Sequence, residues 1–174
     1  MPIAQEFLTE FEMQAPITRK FLERLPENKL TWKPHEKSMT AGQLGLHIAT
    51  VPGGIVRFIE NTPAQVPEHF EFPQPASSAE ILNAFDGSIA TVRSLLPKYD
   101  DRAMEEIFHM MAGDKELMAM PRKTFVREIM FSHWYQHRGQ LSVYLRILNV
   151  AVPSSWGPSA DEPVFMPQAE PAMA

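Results

Sequence analysis

Histidine spacing is the feature of this sequence that bears most clearly on chemistry. His133 and His137 lie four residues apart in a segment whose apolar residues recur with helical spacing. Residues four apart in a helix lie one above the other on the same face. His47 lies in a second segment of this kind, beside Leu44 and Ile48. Because an imidazole nitrogen is a common ligand for transition metals, three such side chains could bind one divalent ion.

The same three histidines also have a purely structural interpretation. A buried imidazole needs hydrogen-bond partners for its nitrogens, and ordinary core residues can supply them. Two histidines four apart also arise by chance in a chain that has 6 histidines. The residues alone therefore leave two interpretations open, a metal site and a set of structural histidines.

Other catalytic and metal-binding motifs do not match this sequence. The zinc-protease motif H-E-x-x-H is absent, since His35 and Glu36 lack the second histidine. A di-iron bundle needs two E-x-x-H motifs, and only Glu106 to His109 fits that spacing. There is no G-x-S-x-G motif, no glycine-rich phosphate loop and no cysteine. No catalytic residue is assigned beyond the candidate metal ligands.

Four side chains close to the candidate ligands carry expectations of their own. Gln43 and Gln140 each lie within one helical turn of a candidate histidine and could orient its ring, or could simply be solvated amides. Trp134 is expected to pack between helices. Arg138 is expected at the surface or in an ion pair between helices. The remaining histidines fall in predicted loops and are expected to be ordinary surface residues, namely His35, His69 and His109.

Composition limits the class of protein. The 174 residues suggest one domain, and a hydrophobic content of 44% allows a substantial core. A formal net charge of −5 argues against a protein that binds nucleic acid through a basic surface. No apolar run approaches the roughly 20 residues of a membrane span, and the N-terminus does not resemble a signal peptide. A cytoplasmic protein that binds neither membrane nor nucleic acid is therefore expected.

Apolar spacing, helix caps and prolines predict the elements that position the histidines. A first amphipathic helix is predicted over residues 3–25, with a kink or break at Pro16. A second helix begins after a capping box at Thr40 and runs toward residue 61. Residues 52–54, Pro-Gly-Gly, are predicted to interrupt it with a kink about one turn beyond the histidine.

A long proline-rich loop separates the second predicted helix from the third. The third helix begins at a cap residue, Ser77, and ends before Pro97. Residues 100–120 have no clean helical period, and a short β-hairpin is predicted within them.

The last predicted helix begins at Pro121 or Thr124 and ends near Leu148. Four long amphipathic segments joined by one long crossover predict an all-α fold, a four-helix bundle. Residues 1–163 are predicted to form this single domain. Residues 164–174, which are rich in proline and alanine, are predicted to be a disordered tail.

Three segments taken together make the chain resemble a known family. They are residues 32–49, which end at the first candidate histidine, residues 133–146, which contain the other two, and residues 152–162 near the C-terminus. In this order they resemble the DinB-like superfamily. The match covers most of the chain from residue 32 to residue 162, and the combined order is more specific than any single segment.

The resemblance implies a four-helix bundle with a long crossover and a divalent metal held by His47, His133 and His137. The relatives of known activity are thiol-dependent S-transferases and isomerases that use low-molecular-weight thiols such as bacillithiol or mycothiol. It also implies a homodimer, to which apolar residues such as Phe58 and Ile59 add a minor argument. No motif in the sequence assigns a particular thiol.

A site of three neutral imidazoles would leave a bound ion with an open position for a small-molecule substrate or thiol. All-nitrogen ligation suits Zn or Ni best, with Fe or Co as further candidates, and does not suit Mg or Ca. We expect a metal-dependent enzyme that activates a thiol or water nucleophile, similar to a thiol S-transferase. A metal-dependent hydrolase and a non-catalytic metal-binding stress-response protein are the alternatives.

Overall fold

The computed structural model describes residues 1–162 and consists mainly of helix. The α-helices are α1 (Ile3–Glu23), α2 (Ala41–Phe58), α3 (Ser78–Leu95), α4 (Asp101–Glu105), α5 (Arg122–Phe125) and α6 (His133–Ile147). A π-helix, Val126–Ser132, joins α5 to α6 without a break, and we call these three segments the C-terminal helix. Two single-turn 3₁₀ helices span Glu27–Lys29 and Leu96–Lys98. The predicted tail of residues 164–174 lies outside the described residues.

Helix α2 is the central element of the bundle. It begins at a capping box, in which the Thr40 hydroxyl accepts a hydrogen bond from the Gln43 backbone and the Gln43 side chain accepts one from the Thr40 backbone. Its most extensive packing is against α3, and it also contacts α6 and the π-helix. Helix α1 covers the other side of the bundle, where it packs against α3 and α6. These contacts confirm the predicted all-α four-helix bundle.

Two prolines that were expected to disturb helices lie inside continuous helices. Helix α1 passes through Pro16 and α2 passes through Pro52, so neither helix breaks at its proline, whereas a kink at these positions stays a prediction. The glycine after Pro52 has a packing role, because a Cβ on Gly53 would lie 2.9 Å from the Cα of Ser88 in α3. The backbone N–H of Gly53 also donates to the Ser88 hydroxyl, at 2.8 Å. Absence of a side chain therefore lets α2 and α3 approach closely.

The predicted β-hairpin is present and belongs to a small sheet of three strands. Strands β2 (Ile107–Ala112) and β3 (Lys115–Pro121) pair in antiparallel fashion. Gly113 lies in the turn between them with φ of +59°, a conformation that glycine adopts readily. Strand β1 (Ala64–Gln65), within the crossover loop, pairs in parallel with β2. Neither β1 nor α4 was predicted, since both are short and β1 depends on a partner distant in sequence.

A single hydrophobic core lies between the helices and the inner face of the sheet. Its largest member is Trp134 on α6, whose ring stacks against Phe11 on α1 at a centroid distance of 5.5 Å. Trp134 is fully buried, which confirms its predicted position between helices. Over the described part of the chain, no helix is both long enough and apolar enough to span a bilayer.

Candidate metal centre

Helices α2 and α6 bring the three predicted histidines together. His47 lies in α2, and His133 and His137 lie in the first two turns of α6. The Nε2 atom of His133 is 3.3 Å from Nε2 of His47 and 2.7 Å from Nε2 of His137. One potential ligand atom from each residue lies within 4.8 Å of the other two. Within residues 1–162, no other group of three or more histidines or carboxylates meets this test.

Hydrogen bonds at the outer nitrogens determine which edge of two rings faces the cluster. Nδ1 of His133 lies 3.2 Å from the backbone oxygen of Ile129, which can only accept, so Nδ1 carries the hydrogen. Nδ1 of His137 lies 2.7 Å from Oε1 of Gln140 and donates in the same way. The neutral rings therefore direct unprotonated Nε2 atoms at one another. Two lone pairs at this separation repel unless a proton or a metal cation lies between them, so the donor set fits a cation.

The π-helix explains why a backbone oxygen is open to the His133 ring. In an α-helix the N–H of residue 133 would bond to the carbonyl of Ile129. Here the π-helix shifts the pattern, and the N–H of His133 donates to the oxygen of Glu128, five residues earlier. The Ile129 oxygen can then accept from the imidazole. Single π-turns inside α-helices occur frequently at functional sites.

Pro52 has a comparable role on the α2 side of the cluster. Because proline has no N–H, the carbonyl of Ile48, four residues earlier, receives no bond from position 52. The indole N–H of Trp134 donates to that oxygen, at 2.9 Å. Ile48 follows His47 in the chain, and Trp134 follows His133. One hydrogen bond therefore joins α2 to α6 directly beside the two histidines that come from different helices.

Burial favours the neutral form of two of the three rings. Burial is the main cause that lowers the pKa of His47, to about 4, and the adjacent His137 and His133 lower it further. Burial also lowers the pKa of His137, against the opposing effect of its hydrogen bond to Gln140. The neutral ring is the form that binds a metal, since a proton and a metal compete for the same lone pair.

Two cavities have His47 in their walls. The smaller, of about 100 Å³, lies under the crossover loop and is lined in part by Gln43, Glu71 and Phe72. The larger, of about 440 Å³, is lined by His47, by His133 and otherwise by apolar side chains and one glycine. A pocket nearest these two histidines was predicted, and the larger cavity lies beside both; its use as a route to a metal-bound water or other ligand stays a prediction.

The two glutamines behave differently. Gln140 accepts from the His137 ring, so of its two expected roles it has the one that orients a candidate ligand. Gln43 is not hydrogen-bonded to a histidine. Its amide oxygen accepts from the Thr40 backbone in the cap of α2, and its amide nitrogen donates to the backbone oxygen of Phe72, at 2.7 Å. The Phe72 ring lies edge-on to the His47 ring at a centroid distance of 5.5 Å. Gln43 therefore acts on the site by holding the crossover loop over His47.

Arg138 is buried, with 3% of its surface exposed, so the expected surface position is wrong. Its guanidinium donates to the Gln14 amide oxygen at 2.9 Å and to the Thr18 hydroxyl at 3.1 Å, both from α1. It also lies over the ring of Tyr135. The signal in the sequence was the placement of Gln14 and Thr18 among apolar residues of α1, where buried polar groups require a partner.

The other three histidines lie away from the cluster. His35 and His69 are exposed in loops, as predicted. His109 was also expected in a loop, and it instead lies in β2. Its Nδ1 is 2.6 Å from a carboxylate oxygen of Glu116 on β3. The hairpin predicted within residues 100–120 was the signal in the sequence that this histidine could lie in a strand.

A family model and a curated relative each match most of this chain. The family model described as the DinB superfamily matches residues 10–141. An uncharacterized protein of Bacillus subtilis, YrdA, is 26% identical over 157 residues, which are 90% of this chain and 89% of that protein.

Two solved structures share the fold. A DinB-like protein from Bacillus cereus has a TM-score of 0.70 and 23% identity, over 87% of this chain and 97% of that chain. The DinB-like protein YjoA from Bacillus subtilis has a TM-score of 0.63 and 16% identity, over the same shares.

Proposed function

This chain belongs to the DinB superfamily, and we propose that it is a divalent-metal protein in which His47, His133 and His137 are the ligands. We further propose that it is a metal-dependent enzyme that activates a thiol or water nucleophile, similar to a thiol S-transferase. The observation that carries the proposal is the convergence of the three rings. Nε2 of His133 lies 2.7 Å from Nε2 of His137 and 3.3 Å from Nε2 of His47.

Each part of the surrounding structure supports a role for these rings as ligands. The Ile129 carbonyl and the Gln140 amide hold two of the rings in the tautomer that leaves Nε2 available. Burial favours the neutral form of His47. A donor set of nitrogens suits Zn or Ni, and also Fe or Co, better than Mg or Ca. When bound, such an ion supplies a Lewis acid that can activate a thiol or a water molecule near neutral pH.

A small-molecule reaction fits the cavities beside the cluster. The larger cavity offers space for a substrate next to His47 and His133, whereas a purely structural site is closed by a fourth protein ligand. In residues 1–162 the group of mutually close candidate ligands contains no carboxylate. We also propose that the protein acts in the cytoplasm as a homodimer, without nucleic-acid or membrane partners.

Metal binding is tested on protein made without an affinity tag. The metal-free protein is titrated with Zn²⁺, Ni²⁺ and Co²⁺ by calorimetry, and Co²⁺ binding is also followed by visible absorption. We expect one ion per chain, and no proton released from His47 at pH 7.5, because burial already holds that ring in its neutral form. A protein that takes up none of these ions would contradict the proposed site.

Activity is tested in the Co²⁺-loaded protein. Addition of a small thiol, 2-mercaptoethanol, should change the visible spectrum with a pH midpoint below the usual pKa of a thiol, which is about 8.5. If no thiol changes the spectrum and no ester or amide is hydrolysed, a non-catalytic metal-binding protein becomes the better description.

A further inference from the structure

The larger cavity beside the histidines is mainly apolar, whereas the cluster that it reaches consists of polar rings. Along its wall, the only polar side chains among the described residues are the imidazoles of His47 and His133. The rest of the wall is mostly aliphatic and aromatic, and includes Val51, Phe58, Met110 and Ile129. No lysine, arginine, aspartate or glutamate in residues 1–162 lines it.

The mouth of this cavity is also apolar. Phe70, from the crossover loop, is 69% exposed, and Leu117, from β3, is 44% exposed. Both residues line the cavity while they face solvent. Large apolar side chains at an opening reduce the cost of bringing an apolar molecule out of water.

The volume of about 440 Å³ lies within the range of about 300–1,000 Å³ that is usual for small-molecule sites. A charged group within it would lose hydration without gaining an ionic partner, which is strongly unfavourable. Each methylene group of an apolar ligand would instead increase affinity about fourfold.

We propose that this cavity binds the neutral, apolar body of the substrate and directs its polar end toward His47 and His133. The proposal rests on the metal site proposed above for the identity of the reacting end, but the cavity itself can be tested without any metal. It specifies a substrate class: a small hydrophobic compound that carries one metal-binding group, such as an alkyl or aryl thiol, rather than a multiply charged metabolite.

The test uses full-length, metal-free protein and the neutral fluorescent probe N-phenyl-1-naphthylamine, whose emission rises in apolar surroundings. Val51 lies one helical turn beyond His47 on α2 and lines the cavity. Val51→Phe should fill space next to the histidine and weaken probe binding by at least about tenfold, the equivalent of two or more buried methylene groups. Val143→Phe, an exposed position on α6 that does not line the cavity, is the matched control and should bind the probe as the wild type does.

Charge preference is measured by displacement of the bound probe. 1-Hexanethiol and 6-mercaptohexanoate have the same chain length and differ in charge at the far end. 1-Hexanethiol should displace the probe at a concentration lower by at least about tenfold. Equal displacement by the two thiols, or equal probe affinity in Val51→Phe and wild type, would overturn the proposal.

A second variant keeps the test decisive if Val51→Phe does not fold. Leu117→Glu places a charge at the exposed mouth and should weaken probe binding, whereas Ile147→Glu, at an exposed position on α6, should not. Probe binding that survives Leu117→Glu unchanged would also contradict the proposal. Because no metal is present, a failed metal titration and a failed probe titration are separate results, and each identifies the proposal that is wrong.

Discussion

His133 and His137 each use one ring nitrogen to fix the ring and direct the other at the cluster. The partner of His133 is a backbone oxygen, which cannot be removed by substitution, whereas the partner of His137 is the side chain of Gln140. The two rings therefore differ in how their orientation can be tested. Residues in direct contact with the rings should affect metal affinity, and residues one position away on the helix surface should not.

The first prediction concerns a ligand. In the wild type, zinc at a hundredfold excess over its Kd should raise Tm by about 5–10 °C, because metal bound only to the folded state stabilises it. His137→Ala should lose most of this increase. Differential scanning calorimetry with and without zinc at pH 7.5 measures it, and His35→Ala, at an exposed loop histidine, is the control. A variant that keeps the full increase would show that His137 is not a ligand.

The second prediction concerns the group that holds a ligand. Gln140→Leu removes the acceptor for Nδ1 of His137 and should weaken zinc binding by about 10–100-fold. Gln136→Leu, an exposed neighbour on α6, should leave zinc binding unchanged. Calorimetric titration measures both zinc affinities. Equal affinities in the two variants would show that Gln140 does not contribute to zinc binding.

At the scale of elements, the π-helix and Pro52 have the same effect on the hydrogen bonding of the two helices that carry the histidines. Each one changes the normal helical hydrogen-bond pattern so that a carbonyl oxygen becomes available to a side chain. One carbonyl accepts from the His133 ring, and the other accepts from the indole of Trp134. Irregularities in the helices therefore position the site.

The third prediction tests the bond between α2 and α6. Trp134→Phe should lower the free energy of unfolding by about 1–3 kcal/mol, in part because the buried Ile48 oxygen loses its donor. When Pro52→Ala is combined with Trp134→Phe, the tryptophan substitution should cost less free energy of unfolding, because the new N–H at position 52 can bond to the Ile48 oxygen. Urea unfolding of the single and double variants forms a complete cycle. If the changes in the free energy of unfolding of the two single variants add up to that of the double variant, Pro52 and Trp134 are not coupled through the Ile48 carbonyl.

At the scale of the whole molecule, polar contacts that are partly or fully buried join α1 to the C-terminal helix. Glu10 on α1 binds Arg127 through two hydrogen bonds, at 2.8 Å and 2.6 Å, and accepts one from the hydroxyl of Tyr135 at 2.7 Å. Arg138 binds α1 one turn further along, as described above. These contacts hold the helix that carries two of the histidines against the rest of the bundle.

The fourth prediction follows from the pKa of Glu10. The hydrogen bond from Arg127 is the main cause that lowers this pKa below the usual 4.5, and burial opposes it. A carboxyl whose pKa is lowered in the folded state stabilises the fold above the unfolded pKa, and this contribution disappears as pH falls through the folded value. Glu10→Gln should therefore reduce stability at pH 7 and have a smaller effect in acid below pH 4.5.

The measurement is urea unfolding of the wild type and the variant between pH 3 and pH 7. Glu36→Gln, at an exposed loop residue, is the control and should lack this pH dependence. A difference between wild type and Glu10→Gln that stays constant across the range would contradict the assignment.

The fifth prediction concerns assembly. The chain is expected to form a homodimer, so sedimentation at micromolar concentration should give a species of twice the monomer mass of 19.8 kDa. A single species of monomer mass would refute it. Phe58 and Ile59, which were a minor argument for the dimer, do not support it, because Phe58 lines the larger cavity and Ile59 is fully buried.

Local features of the chain were sufficient to predict the helices and the histidine pair. The Thr40 cap, the periodic apolar positions and the spacing of His133 and His137 depend on neighbours within one or two turns, so they can be recognised in the sequence. The assignment of His47 to the same site required an assumption about tertiary structure, since no local rule brings α2 beside α6.

Only the tertiary structure decided the features that depend on residues far apart. Strand β1 is too short to be recognised without β2, and Arg138 is buried only because α1 supplies Gln14 and Thr18. Pro52 looked like an interruption because its effect was judged within α2, whereas the open carbonyl that it leaves is satisfied by Trp134, 86 residues away from Ile48. The physical reason is the same in each case: a local pattern shows which groups lack partners, and the packing of distant elements determines which partners they find.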